Sequence, residues 1–145
     1  MSVRKYFSEK DKLQIKNAIR AAEFNTSGEI RVHIEKHCME EVLDRAAFLF
    51  EKLEMHKTEL RNGVLFYLAI DDRRFAILGD AGINQKVPAN FWEEIKEDMA
   101  LHFTKGDFTQ GLTNGIHRAG EILKHHFPWQ KDDENELTDE ISFGS

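Results

Sequence analysis

Residues 61–83, with the sequence RNGVLFYLAIDDRRFAILGDAGI, contain two apolar runs separated by a short polar turn. The runs occupy residues 63–70 and 75–78, and the turn between them reads DDRR. Two apolar runs around such a turn predict a β-hairpin. In the first run, apolar side chains occur at both odd and even positions, so both faces of that strand are expected to be covered. We therefore predict a central strand with helices above and below the sheet.

Upstream of the hairpin, the hydrophobic spacing is first helical, then strand-like, then helical again. Residues 9–24 have helical spacing, and residues 29–35, EIRVHIE, alternate between polar and apolar side chains. The alternation predicts a half-buried strand with a polar outer face. Residues 40–57 predict a second helix, with Glu41 and Arg45 spaced for an exposed ion pair. Because a strand, a helix and a second strand form a crossover unit, the two strands are expected to be parallel.

Two further helices are predicted after the hairpin, one following Pro88 and one ending at His126. The predicted fold class is therefore α/β. It is a three-layer α/β/α sandwich in which about four helices flank a small mixed sheet, made of a parallel crossover and an antiparallel hairpin. The length of 145 residues suits one domain, which we place at residues 1–128. Residues 129–145 form an acidic tail that we expect to be disordered.

The composition excludes several classes of function. The net charge is -6, and no cluster of Lys and Arg is dense enough to follow a phosphate backbone, so we predict no nucleic-acid partner. The single cysteine, Cys38, fits a reducing compartment. No apolar segment resembles a secretory signal or is long enough to cross a bilayer. We expect a cytoplasmic protein without a membrane segment.

The predicted topology brings three chain segments to one edge of the sheet. If the first two strands are parallel and the third runs back, the starts of the first two and the end of the third lie together. The residues at these strand ends are glycines or carry carboxylate, amide or hydroxyl groups. This edge collects Ser27, Gly28, Glu29, Asn62, Gly63, Gly79, Asp80, Gly82 and Asn84.

A divalent cation is one ligand that this edge would suit. Glu29, Asn62, Asp80 and Asn84 would supply the oxygen donors that Ca²⁺ and Mg²⁺ prefer, and the glycines would let the backbone approach closely. The same residues are also typical of turns, and turn formation alone would explain most of them. The two interpretations remain open at this point.

The hairpin turn offers a second, weaker cation site. Asp71 and Asp72 are adjacent acids, but Arg73 and Arg74 beside them are neutralising partners. A salt-bridged turn is therefore favoured over a cation site.

The histidines suggest a zinc site only superficially. His33, His37 and Cys38 are close in sequence and His125 and His126 are adjacent, but their spacing matches no recognised zinc pattern. We expect these residues to lie on the surface. The phosphate loop, the Rossmann glycine pattern and the Gly-x-Ser-x-Gly nucleophile motif are also absent from the sequence.

Short motifs in a fixed order give the chain a resemblance to a known family. It resembles the TPM domain, named for a thylakoid lumen acid phosphatase, a photosystem II repair protein and a nematode receptor modulator. The similarity covers about residues 8 to 127. The motifs are SGEI at 27–30, NGVL at 62–65, DR at 72–73, GDAGI at 79–83, KGDF at 105–108 and GL at 111–112.

The resemblance implies an α/β/α sandwich, a cleft at the strand edge, divalent-cation binding and, in some plant members, phosphatase activity. The cleft positions carried over are Ser27, Gly28, Glu29, Asn62, Gly63, Gly79, Asp80 and Gly82. Here Asp80 replaces a tyrosine that is common in the family and adds a ligand. The leading interpretation is a Ca²⁺- or Mg²⁺-binding module with a binding or accessory role.

Two other functions remain open. One is a metal-dependent phosphomonoester hydrolase, for which Arg31 and Arg61 are the only basic residues near the edge in sequence. The other is a structural or interaction protein without a ligand site.

Overall fold

The computed structural model describes residues 7–129 and 141–144. Five α-helices and four β-strands are formed within these residues, together with a short 3-10 helix at Met55–Lys57. The elements in chain order are α1 (Glu9–Glu23), β1 (Glu29–Glu35), α2 (Val42–Lys52), β2 (Gly63–Ala69), β3 (Arg74–Gly79), α3 (Ala81–Asn84), α4 (Phe91–Thr104), α5 (Phe108–His126) and β4 (Ser142–Phe143).

The sheet is mixed, as predicted, and its strand order is β3-β2-β1-β4. Strands β1 and β2 are parallel, with Glu29 opposite Gly63, and β2 and β3 form the antiparallel hairpin, with Val64 opposite Gly79. Strand β4 is parallel to β1 and pairs with it on its other edge. The predicted crossover and hairpin are therefore confirmed.

Helices cover the two faces of the sheet, which makes the three layers of the sandwich. Every residue of β2 is buried, in agreement with the apolar side chains at its odd-numbered and even-numbered positions. On one face, even-numbered β2 residues such as Phe66 pack with α1, α4 and α5. On the other, odd-numbered residues such as Tyr67 pack with α2. The predicted α/β/α sandwich is confirmed.

The polar face of β1 is buried, so the prediction of a half-buried strand is wrong. Glu29, His33 and Glu35 are only 2%, 6% and 7% exposed. There are two reasons. Arg45 of α2 binds Glu35 on this face, and β4 makes β1 an inner strand of the sheet. The polar side chains must therefore find partners inside the protein.

Two local features also differ from the predictions. The helix expected over residues 40–57 ends at Lys52, and Glu54 then adopts a left-handed backbone with φ 59° before the 3-10 turn. Strand β4 lies in the tail that we expected to be disordered, although residues 130–140 of that tail are outside the described residues. None of the helices within residues 7–129 is long and apolar enough to cross a membrane.

Candidate functional site

The strand edge predicted from the topology is assembled by backbone hydrogen bonds between three loops. The Glu29 amide donates to the Asn62 carbonyl oxygen at 3.3 Å, and the Asp80 amide donates to the Gly63 carbonyl oxygen at 3.0 Å. The side-chain amide of Asn62 donates to Ser27 Oγ at 3.2 Å. The starts of β1 and β2 and the end of β3 therefore meet as the sequence indicates.

The Asp80 carboxylate forms an ion pair with the side chain of Arg61. Arg61 Nε and Nη2 donate to the two carboxylate oxygens at 2.7 and 2.8 Å, and the Ala81 amide donates to Oδ1 at 2.7 Å. These hydrogen bonds to Asp80 raise the pKa of Arg61 above its usual value. The carboxylate is 6% exposed, but the Arg61 side chain is 51% exposed. A buried charge is thus balanced by a guanidinium that reaches solvent.

Glu29 and Asn62 are more deeply buried than Asp80. Each is 2% exposed, and they lie on adjacent strand ends. Asn62 also donates its backbone amide to Thr58 Oγ1 at 3.3 Å. Its side-chain oxygen takes no part in the hydrogen bonds to Ser27 or Thr58, so Asn62 retains an acceptor at the edge.

Asn84, the fourth predicted ligand, has a structural role. Its side-chain nitrogen donates to the Gly79 carbonyl oxygen at 2.8 Å, and its side-chain oxygen accepts a hydrogen bond from Trp92 Nε1 at 2.9 Å. Both ends of the amide therefore hold the turn after β3 against α4. The donor set that the edge offers is better described as Glu29, Asn62 and Asp80.

Gly82 brings α3 against the backbone that carries Arg61. Its amide donates to the Arg61 carbonyl oxygen at 2.9 Å. A Cβ atom at this position would lie 2.1 Å from the Leu60 carbonyl oxygen and 2.7 Å from that of Arg61. Only glycine permits this approach, which fixes the Arg61 and Asp80 loops relative to each other.

The two acids of the hairpin turn contact the residues that follow β1. Asp72 Oδ1 lies 2.8 Å from His37 Nδ1, and its Oδ2 accepts a hydrogen bond from the Cys38 amide at 2.8 Å. Both contacts lower the pKa of Asp72, and the hydrogen bond from the Cys38 amide has the larger effect. Asp71 lies 3.7 Å from His37 Nε2 and 4.0 Å from Lys36 Nζ. The turn is therefore salt-bridged, and His37 and Lys36 are among the partners of its acids.

A buried polar network on the α2 side of the sheet was not predicted. Glu35 accepts hydrogen bonds from Arg45 through both carboxylate oxygens and from the Tyr67 hydroxyl at 2.6 Å. His33 Nε2 lies 3.3 Å from Glu35. The predicted exposed pair between Glu41 and Arg45 is therefore wrong, because Arg45 turns inward to the end of β1.

Electrostatics in this network follow from burial and pairing. Burial alone would raise the pKa of Glu35, but the hydrogen bonds from Arg45 and Tyr67 outweigh it and lower the pKa to about 2. Burial lowers the pKa of His33 and raises that of Tyr67. Glu35 is therefore ionised and His33 neutral at pH 7.

The histidine and cysteine side chains do not converge on a metal. His33 and Cys38 are buried, so their predicted surface location is wrong, whereas the side chain of His37 is about half-exposed. In the part of the chain that the structure describes, no three His, Cys, Asp or Glu side chains are grouped to hold a metal ion. The candidate site at the strand edge has two carboxylates, and a cation there would need amide and backbone oxygens as well.

Taken together, these features define a small α/β/α sandwich domain with buried polar groups at both ends of β1. The family model of the TPM domain matches residues 3–122. The chain belongs to the TPM domain family.

Solved structures of three proteins show the same fold. The BA42 protein from the psychrophilic bacterium Bizionia argentinensis is 46% identical, with a TM-score of 0.90 and coverage of 98% of both chains. The N-terminal domain of a protein from P. gingivalis is 19% identical, with a TM-score of 0.72 and coverage of 88% of this chain and 85% of that one. The N-terminal domain of the cg2496 protein from Corynebacterium glutamicum is 13% identical, with a TM-score of 0.62 and coverage of 81% and 74%. The last two support the fold alone, and no curated protein sequence matches this chain.

Proposed function

We propose that this protein is a divalent-cation-binding TPM domain that acts as a binding or accessory module. The proposal is supported by the positions of Glu29, Asn62 and Asp80, which are all buried and lie at neighbouring strand ends on one edge of the sheet. Carboxylate and amide oxygens are the donors that Ca²⁺ and Mg²⁺ prefer. Asn84 is not included because its side-chain oxygen binds Trp92, and Asp71 and Asp72 are not included because they lie in the hairpin turn at the opposite edge of the sheet, beside His37.

Arg61 would set the affinity of this site. Its guanidinium now occupies the oxygens of Asp80, so it must swing away before Asp80 can bind Ca²⁺ or Mg²⁺. Because half of its side chain is exposed, this movement does not disturb the core. Arg61 thus acts as a tethered competitor of the free cation.

A residue-resolved NMR titration of the full-length, metal-free protein with Ca²⁺ and Mg²⁺ tests this proposal. We expect saturable shifts centred on Glu29, Asn62 and Asp80. Asp80→Asn keeps the cap of α3 but removes the charge, and it should weaken binding at least about tenfold, equal to roughly 1.4 kcal/mol. Arg61→Gln should strengthen binding several-fold because the competitor is removed.

The matched control is Asp72→Asn, which removes an acid from the hairpin turn and should leave the strand-edge affinity unchanged. Shifts confined to Asp71 and Asp72 would show that the wrong site has been chosen. A titration without saturable shifts would favour a protein without a cation site.

The second candidate function is phosphomonoester hydrolysis, and the position of Arg61 is the observation that favours it. A half-exposed guanidinium at the strand edge could bind a phosphate dianion through two hydrogen bonds once it has left Asp80. A bound divalent cation supplies polarisation of a phosphoryl oxygen and activation of water. Glu29 and Asp80 would hold that cation, and Arg61 would orient the substrate.

An assay with a small phosphomonoester in Mg²⁺ or Ca²⁺ separates the two functions. If the hydrolase function is correct, turnover should fall at least about a hundredfold in Arg61→Gln. It should persist in Arg73→Gln, which removes an arginine from the opposite edge of the sheet. Cation binding without turnover would leave the accessory module as the function.

We further propose a reducing, cytoplasmic location and no nucleic-acid partner. The location is supported by the single cysteine, Cys38, which is free and buried. The net charge of -6 disfavours association with a phosphate backbone.

A further inference from the structure

We propose that the outer edge of β1 is a recognition site for an extended peptide, and that residues 141–144 of this chain are its intramolecular ligand. Strand β1 has seven residues, but β4 pairs with only two of them, His33 and Ile34. Addition of a strand to an exposed sheet edge is a general mode of peptide recognition. This inference is independent of the cation site, which lies at the opposite end of β1.

Backbone pairing provides the part of the recognition that does not depend on sequence. His33 lies opposite Ser142 and Ile34 opposite Phe143, in parallel orientation. The Gly144 amide then donates to the Ile34 carbonyl oxygen at 2.7 Å. These contacts fix the register, so each side chain of the segment meets a defined part of the domain.

Ser142 is recognised by Arg31, a partly buried residue of the same strand. Arg31 Nη2 donates to Ser142 Oγ at 3.1 Å. Arg31 and His33 are on the α2 side of β1, so the hydroxyl lies above the buried polar face of that strand. A residue without a hydrogen-bond acceptor at this position would lose this hydrogen bond to Arg31.

Ile141 and Phe143 are recognised by the main core. Both pack against the cluster formed by α1, α4, α5 and the sheet. The Lys12 ammonium of α1 lies 6.0 Å from the centroid of the Phe143 ring, within the range of a cation–π contact. Apolar residues are therefore favoured at these two positions, and an aromatic one at the second.

Gly144 is the most strictly selected position. A Cβ atom there would lie 2.5 Å from Glu35 Cγ and 3.0 Å from its Oε1. Glu35 cannot move aside, because Arg45 and Tyr67 hold its carboxylate. The buried network around Glu35 therefore leaves room only for glycine at this position.

A neighbouring cavity of about 630 Å³ shows that the segment also completes a concave surface. Phe143 and Gly144 form one wall of this cavity, and His33, Glu35 and Arg45 form another. The site thus selects the pattern apolar, Ser, aromatic, Gly. A second protein with an extended segment of this pattern would compete with residues 141–144 of this chain.

The proposal is tested by competition between a free peptide and residues 141–144 for the outer edge of β1. A short tether gives an intramolecular ligand an effective concentration on the order of millimolar. A free peptide should therefore bind poorly to the wild-type protein and well to a variant whose own segment cannot dock. Gly144→Val is such a variant, because its side chain would collide with Glu35.

The experiment uses full-length wild-type protein and full-length Gly144→Val, with the heptapeptide DEISFGS (residues 139–145 of this sequence) as the probe. In the variant, the amides of His33 and Ile34 should shift while those of the strand edge at Asn62 and Asp80 stay unchanged. Addition of the peptide should return the shifted amides towards their wild-type positions in a saturable manner. Binding to wild type should be at least about tenfold weaker because of the tethered competitor.

Two controls isolate the recognition of the segment. Ser145→Val places the same side chain one residue further along and should behave as wild type. The heptapeptide carrying G144V should bind neither protein. The proposal is overturned if Gly144→Val leaves the His33 and Ile34 amides unshifted, or if the wild-type heptapeptide shows no saturable binding to this variant.

Discussion

Replacing Arg45 with methionine is expected to lower the free energy of unfolding by about 3 kcal/mol at pH 7, because the carboxylate of Glu35 would stay buried without its cation. Methionine keeps much of the apolar stem of arginine, so the loss of stability comes mainly from removal of the guanidinium charge. The Tyr67 hydroxyl would still donate to Glu35 at 2.6 Å and would moderate the effect. The Arg45 side chain is 28% exposed, which lets some water reach the variant site.

This loss should depend on pH in a defined direction. The pKa of Glu35 is lowered from 4.5 to about 2 in the folded protein. A lowered pKa means that the ionised carboxylate contributes stability above pH 4.5, and that this contribution is lost as the pH falls towards 2. In Arg45→Met burial dominates and favours the protonated acid, so the difference between the two proteins should narrow over the same range.

Urea unfolding at pH 7, 4 and 3 measures both effects. Arg118→Met is the matched control, since Arg118 pairs with Glu94 at 3.6 Å on the surface. Arg118→Met should lower the free energy of unfolding by about 0.5 kcal/mol or less. The double variant Glu35→Gln with Arg45→Met should recover part of the loss by removing the buried charge. Equal losses for Arg45→Met and Arg118→Met would contradict the importance of the network.

Gly82→Ala is expected to have a similarly large effect, with a loss of about 3 kcal/mol in the free energy of unfolding. The added methyl group would meet two backbone carbonyl oxygens, those of Leu60 and Arg61, at 2.1 and 2.7 Å. Backbone atoms cannot turn away as a flexible side chain can, so α3 or the preceding loop must shift. Because these segments carry Asp80 and Arg61, their ion pair should also be disturbed.

Thermal unfolding and the NMR signals of the Arg61 guanidinium test this prediction together. Gly63→Ala is the matched control at the same edge, where the nearest atom to a new Cβ would be the Met55 carbonyl oxygen at an ordinary 3.4 Å. It should change the free energy of unfolding by about 1 kcal/mol at most. A Gly82→Ala protein as stable as Gly63→Ala would show that the close approach of α3 is not required.

Much of the fold could be predicted because its strongest signals are local. The apolar runs of β2 and β3 predicted the hairpin, and the alternation in β1 predicted a strand with the correct bounds. Strand β4 could not be predicted, since it has two residues within an acidic segment and depends on the edge of β1 for its partners. The burial of Glu29, His33 and Glu35 was missed for the same reason, because it depends on what covers β1.

The candidate site was predicted in its position but not in its internal pairing. Topology alone brought Glu29, Asn62 and Asp80 to one edge. Arg61, which pairs with Asp80, has a left-handed backbone with φ 52°, and the sequence does not signal this conformation. The use of the Asn84 oxygen by Trp92 likewise depends on how α4 packs, which spacing does not reveal.

The pairing of β4 with β1 also has a consequence for the order of folding. Ser142 and His33 are more than a hundred residues apart in the chain. Contacts of such long separation carry the largest loop-closure entropy and form late. Strands β1, β2 and β3 lie within residues 29–79, so they are synthesised before β4 and can pair with one another first. The outer edge of β1 is therefore open during this interval and closes only when residues 142–143 pair with it.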